Sequence, residues 1–198
     1  MKKEKPKTIV LIGPNHFNAG NYDILLSNYS YKTPYGILES DTKMINALFD
    51  ESFMGIDEQP FEKEHSISAL AGFIENSFPK TKLVPIIIKR RTSEEKLDKL
   101  IAALESVVTR DTLVIGSVDF SHHLNKTAAQ FHDDKSIATL ESFDFESIKK
   151  LEIDSPPTIY VLLNYLQNRS AQKMLAKNMN SADVSGNPAS QDVTSYLF

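Results

Sequence analysis

The stretch TIVLIG, residues 8–13, decides how this chain is read. Ile9, Val10, Leu11 and Ile12 follow one another without the polar alternation of a half-solvated strand. An unbroken aliphatic run bounded by a glycine reads as a strand covered on both faces, as in parallel sheets sandwiched between helices. Two more runs have the same character, KLVPIII at 82–88 and TLVIGSV at 112–118.

Helical patterns lie between and after these runs. DTKMINALF places Met44, Ile45, Leu48 and Phe49 on one face, and HSISALAGFI does the same with Ile67, Leu70, Ala71 and Ile74. TSEEKLDKLIAALESVV opens with Thr92 and Glu95 at capping-box spacing, then continues Leu97, Leu100, Ile101, Leu104 and Val108. AAQFHDDKSIATLESF and PPTIYVLLNYL extend the series. Strands alternating with helices give a layered α/β fold with a mainly parallel central sheet flanked by helices. QKMLAKN and the terminal DVTSYLF are candidates for further strands, and NSADVSGNPASQD (180–192) reads as a polar loop or mobile segment. One domain over residues 1–198 is the simplest organisation.

The 198 residues suffice for one sizeable core, and 41% hydrophobic content is ordinary for a globular protein. The net charge of -4 and the lack of a basic stripe argue against nucleic acid; the densest basic run, IIIKRRTSEEK, reads as a solvated turn. With no cysteine, disulfides and thiolate metal ligands are excluded, which fits a reducing compartment. In MKKEKPKTIVLIG the apolar part is too short for a signal-peptide core, and no run approaches the length of a membrane span. The expectation is a soluble cytoplasmic protein with no membrane partner.

Ligands of open α/β sheets bind beyond the carboxyl ends of the strands. Polar clusters sit at such junctions here. His16 follows the first strand in PNHF; Asp119 and His122 follow the third in DFSHH; Glu64 and His65 precede a helix in EKEHS; Glu152 and Asp154 precede another in EIDSPP. Each also has a plain structural reading. Glu64 suits the positive end of a helix, and Asp154 or Ser155 suits an N-cap before Pro156. Adjacent His122 and His123 should not both enter one site, and His132 sits inside a helical pattern as a packing or exposed residue. Taken together, two imidazoles and one carboxylate on one face of an iron ion would match non-heme iron(II) oxygenases, with another histidine as acid or base.

The segments LIGPNHF, YKTPYGILESD, EKEHSIS, VPIII, SVDFSHH, IDSPPTIYVLLNYL and TSYLF, in that order from about residue 7 to the end, resemble the Memo-like family, also called AmmeMemoRadiSam system protein B. That family is similar in fold to class III extradiol ring-cleaving dioxygenases. The resemblance implies a divalent metal, iron(II) first and copper or zinc as alternatives, held by His16, His65 and Asp154. Asp154 stands where animal members carry a cysteine, and the harder aspartate suits iron(II); a shift of one residue would put Ser155 there. It implies His122 and Asp119 as the catalytic pair, with Asn15, Ser117 and His123 on the substrate side.

The function implied is a metal-dependent oxidoreductase acting on a small molecule. A non-catalytic metal-binding or scaffold protein that partners a radical SAM protein and an AMMECR-type protein remains open, as does a metal-dependent hydrolase. Family members usually carry a further strand and helix, with a PHA- or PHH-like motif, ahead of this region. Without that unit, the strand near Thr8 is expected to have an unpaired edge. That edge would be paired with another chain as a homo-oligomer, covered by Val193 to Phe198, or prone to aggregation.

Overall fold

Every residue of β1, Thr8–Pro14, is buried, and the strand is an inner member of a five-stranded sheet, in the order β5 (Met54–Ile56), β2 (Ile24–Leu26), β6 (Lys82–Ile88), β1, β7 (Thr112–Gly116). The computed structural model describes residues 5–169, 178–186 and 193–197, with residues 178 and 193–197 described by their backbone alone. β1 pairs in parallel with both β6 and β7, and β2 in parallel with β5; β2 meets β6 antiparallel. The mainly parallel sheet expected from the three aliphatic runs is therefore present. The same ladders correct the expected open edge beside Thr8, because β1 is hydrogen-bonded on both sides.

Pro85 lies inside β6, where a strand normally donates to a neighbour. Two residues earlier, Leu83 donates to Glu39 O on the β2 side of the strand, and β2 ends at Leu26 opposite Ile86. The missing donor of Pro85 thus faces the gap between these two partners, and the central position is tolerated.

The chain between the strands supplies a small hairpin, β3 (Tyr31–Thr33) with β4 (Gly36–Leu38), and three helices. These are α1 (Thr42–Leu48), α2 (His65–Ser77) and α3 (Glu94–Val107). Alternate residues of β1, Ile9 and Leu11, pack with Ile67, Ala71 and Ile74 of α2 in one hydrophobic cluster. α1 packs against β6 and α3. The expected capping box of α3 does not form. The N-cap is Ser93, without a side-chain bond, because Thr92 Oγ1 donates instead to Lys89 O at 2.7 Å.

The chain divides into two compact units, Met1–Ser117 and Val118–Phe198. The second unit contains β8 (Phe120–Leu124), α4 (Lys126–Ser142), α5 (Phe145–Ile148) and α6 (Pro156–Asn168), then β9 (Asn178–Asn180), α7 (Ser181–Ser185) and β10 (Val193–Leu197). Its antiparallel sheet has the order β8-β10-β9. Phe120, Ile148, Leu151, Ile153, Ile159 and Leu163 form its core. The strand expected at DVTSYLF exists as β10. The supposed polar loop at 180–192 holds the helix α7, N-capped by Asn180, in its described part. Most of QKMLAKN lies outside the described residues, which include only its last residue, at the start of β9.

Candidate functional site

β1 ends at Pro14, and the next residues form a fixed loop. Asn15 is 4% exposed; its Nδ2 donates to Ala19 O at 2.9 Å and its Oδ1 accepts from Ala19 N at 3.1 Å. The Asn15 amide, expected on the substrate side, is thus occupied in closing the loop that carries His16.

His16 meets the start of α2. Glu64, 1% exposed, is the N-cap of α2 and accepts from Ser66 N at 2.9 Å. The same oxygen, Oε1, lies 2.7 Å from His16 Nδ1, while Oε2 accepts from His16 N at 2.9 Å. Burial pushes the Glu64 carboxyl up, but the bonds from Ser66 and from the ring and backbone of His16 outweigh it and hold the pKa below its ordinary value. An ionised carboxylate only accepts, so Nδ1–H of His16 donates to Glu64 and Nε2 is the nitrogen turned away from it. Carboxylates hold and orient metal-binding histidines in this way.

His65, the first residue of α2, lays its ring on that of His16, with centroids 4.2 Å apart and planes 15° apart. Its side chain is 63% exposed against 28% for His16. One ligand atom from each of His16, Glu64 and His65 lies within 4.8 Å of the others. Two donors on a single ion at about 2.0–2.2 Å each stand at most about 4.4 Å apart, so holding one ion would require the stacked rings to turn toward it as well as close. The donor set fits a borderline divalent ion. Of the expected metal residues, His16 and His65 are therefore brought together, in the first unit. Ser117 is in that unit too, its N–H donating to Ile12 O at 2.8 Å.

The second unit holds Asp119, His122, His123 and Asp154. Asp154 N donates to Asp119 O at 3.1 Å, which ties the two acidic segments together through the backbone. Ser155 is the N-cap of α6 and accepts from Thr158 N, with Pro156 following it, so capping does not need Asp154. The ring centroids of His122 and His123 lie 4.6 Å apart; His122 is half-buried and His123 is exposed, with a left-handed φ of 59°. Here β8 bulges: Leu124 pairs with Val193 and Phe120 with Ser195, leaving more residues on β8 than on β10. Bulges of this kind re-aim side chains. His132 packs edge-on against Phe131 within α4.

The sequence named Glu64 only as a helix-end charge. Its role as the group that holds His16 depends on a contact across 48 residues. The one local hint was a glutamate directly before a histidine at a helix start.

A family model described as Memo-like protein matches residues 1–197. Three similar curated proteins are described as MEMO1 family proteins. One from Sulfurisphaera tokodaii is 29% identical over 97% of this chain and 71% of its own length. One from Nitrosopumilus maritimus is 26% identical over 74% and 54%, and one from Caldivirga maquilingensis is 30% identical over 72% and 51%. The chain thus spans about half the length of the last two. Among the described residues no helix is long and apolar enough to cross a membrane.

Proposed function

The chain belongs to the Memo-like protein family, and we propose that it binds a divalent metal through His16 and His65 and acts as a non-heme iron(II) oxidoreductase on a small molecule. The observation that carries the reading is the double hold of Glu64 on His16, through the ring at 2.7 Å and the backbone at 2.9 Å, beside the stacked ring of His65. A buried carboxylate costs several kcal/mol unless its lone pairs are met. Here three N–H groups meet them and at the same time hold the His16 ring through Nδ1.

Asp154 is proposed as the third ligand, on the resemblance alone, and His122 as the group that moves a proton. Iron(II), held by these residues, would supply open positions for dioxygen and substrate. The residues of this chain contribute orientation: Glu64 fixes the His16 ring, Asn15 fixes the loop below it, and α2 presents His65 from its first turn. The saturated Glu64 carboxylate is poorly placed to take a proton from water, which weighs against a hydrolase using it as base.

The test is metal analysis of protein purified without oxygen, with dioxygen uptake measured alongside on candidate aromatic diols. Iron retained by the wild type and lost from His16→Ala and His65→Ala supports the reading.

A further inference from the structure

The buried stripe of α4 is polar where a core helix should be aliphatic. Ala129, Asp133 and Ser136 are each 0% exposed and succeed one another at spacings of four and three, with Leu140 next on the same stripe. Phe131 meanwhile stands 68% exposed on the outside. Burying a carboxylate and a hydroxyl in a helix face is costly unless they meet polar partners.

α4 packs on β8. At one end Leu124 packs on the pair Ala129 and Ala182, and at the other Leu140 joins the cluster of Phe120. The middle of the stripe, Asp133 and Ser136, therefore falls opposite the middle of β8, where the bulge holds His122. Nδ1 of His122 and Oγ of Ser136 are both shielded from solvent, and neither has a hydrogen-bond partner among the described residues.

We infer that Ser136, backed by Asp133 one turn before it, is the positioning residue of His122. The relay runs His122 Nδ1–H to Ser136 Oγ, and Ser136 Oγ–H to the Asp133 carboxylate, directly or across one ordered water. In this relay the Asp133 carboxyl is the terminal acceptor. The proton is thereby placed on Nδ1 and the lone pair on Nε2, which makes His122 a base at its outward nitrogen. That catalytic use rests on the function proposed above; the relay itself does not.

The test is the tautomer of His122 in metal-free, full-length protein labelled with nitrogen-15 at histidine, its signals assigned by their loss in His122→Gln. The wild type should show one dominant tautomer with hydrogen on Nδ1. Ser136→Ala should lower that preference roughly tenfold, the worth of one ordinary hydrogen bond, and Ser136→Thr should restore it. Asp133→Asn, whose amide can donate, should turn the relay round and favour hydrogen on Nε2. A tautomer unchanged in Ser136→Ala, or already mixed in the wild type, overturns the inference. If Asp133→Asn does not fold, the two Ser136 variants decide alone. Since no metal is present, failure of the metal site leaves this result standing, and loss of the relay leaves metal binding at His16 untouched.

Discussion

Gly13 and Ser66 touch so closely that a Cβ on Gly13 would stand 2.6 Å from Ser66 Oγ and 2.7 Å from Ser66 Cβ. The end of β1 and the first turn of α2 are pressed together at this point, and Ser66 Oγ donates to Pro14 O at 3.0 Å. His16, Glu64 and His65 all lie within three residues of the contact.

Gly13→Ala should therefore act as an overpacking change beside the site. We expect a loss of about 1–3 kcal/mol, read from denaturant unfolding, together with reduced metal retention as the α2 terminus is pushed from His16. Gly72→Ala serves as the control, because a Cβ there meets nothing within 4 Å.

Glu64→Gln keeps the shape and removes the charge. Its amide nitrogen can no longer accept, so either Ser66 N or His16 loses a bond. A cost of about 1–3 kcal/mol and a fall of roughly 10–100-fold in metal affinity are expected. Anaerobic titration with cobalt(II), followed by its visible spectrum, measures the second.

The lowered pKa of Glu64 carries a sign. A carboxyl whose folded pKa lies below its unfolded value contributes stability above the unfolded value and loses it as pH falls through the folded one. Thermal unfolding measured from neutrality downward should show stability falling below the ordinary glutamate range, about pH 4.3. In Glu64→Gln that part of the fall should be absent.

Ser155 and Asp154 should separate cleanly. Ser155→Ala removes the α6 N-cap and should cost about 0.5–2 kcal/mol. Asp154→Asn should lower metal retention while leaving the α6 cap in place, since Asp154 is not the cap. The opposite pattern would remove Asp154 from the proposed ligand set.

The parts of the fold that could be read in advance are those whose signal is local and continuous. TIVLIG and KLVPIII declare buried strands because four or more aliphatics in a row have no other economical placement, and α2, α3 and α6 declare themselves by their stripes. β2, β3, β4 and β5 are three residues each, too short for any period to show. They are set by pairing with distant partners, such as Ile24 with Ile88. The α3 capping box failed because Thr92 had a nearer acceptor in Lys89 O. At the site, His16 and His65 were legible from their places at a strand exit and a helix start. Glu64 was legible only as a charge, because what it holds is 48 residues away. The left-handed φ of His123 was not legible at all, since it lies inside a bulge.

The most direct measurement is the metal content of the intact chain purified without oxygen, wild type beside His16→Ala, His65→Ala and a control, His132→Ala, within α4. The account predicts close to one divalent ion, iron foremost, in the wild type and the His132 variant, and nearly none in the other two. A wild type that holds no metal after loading with iron(II), or a His16→Ala protein that holds as much as the wild type, would contradict it.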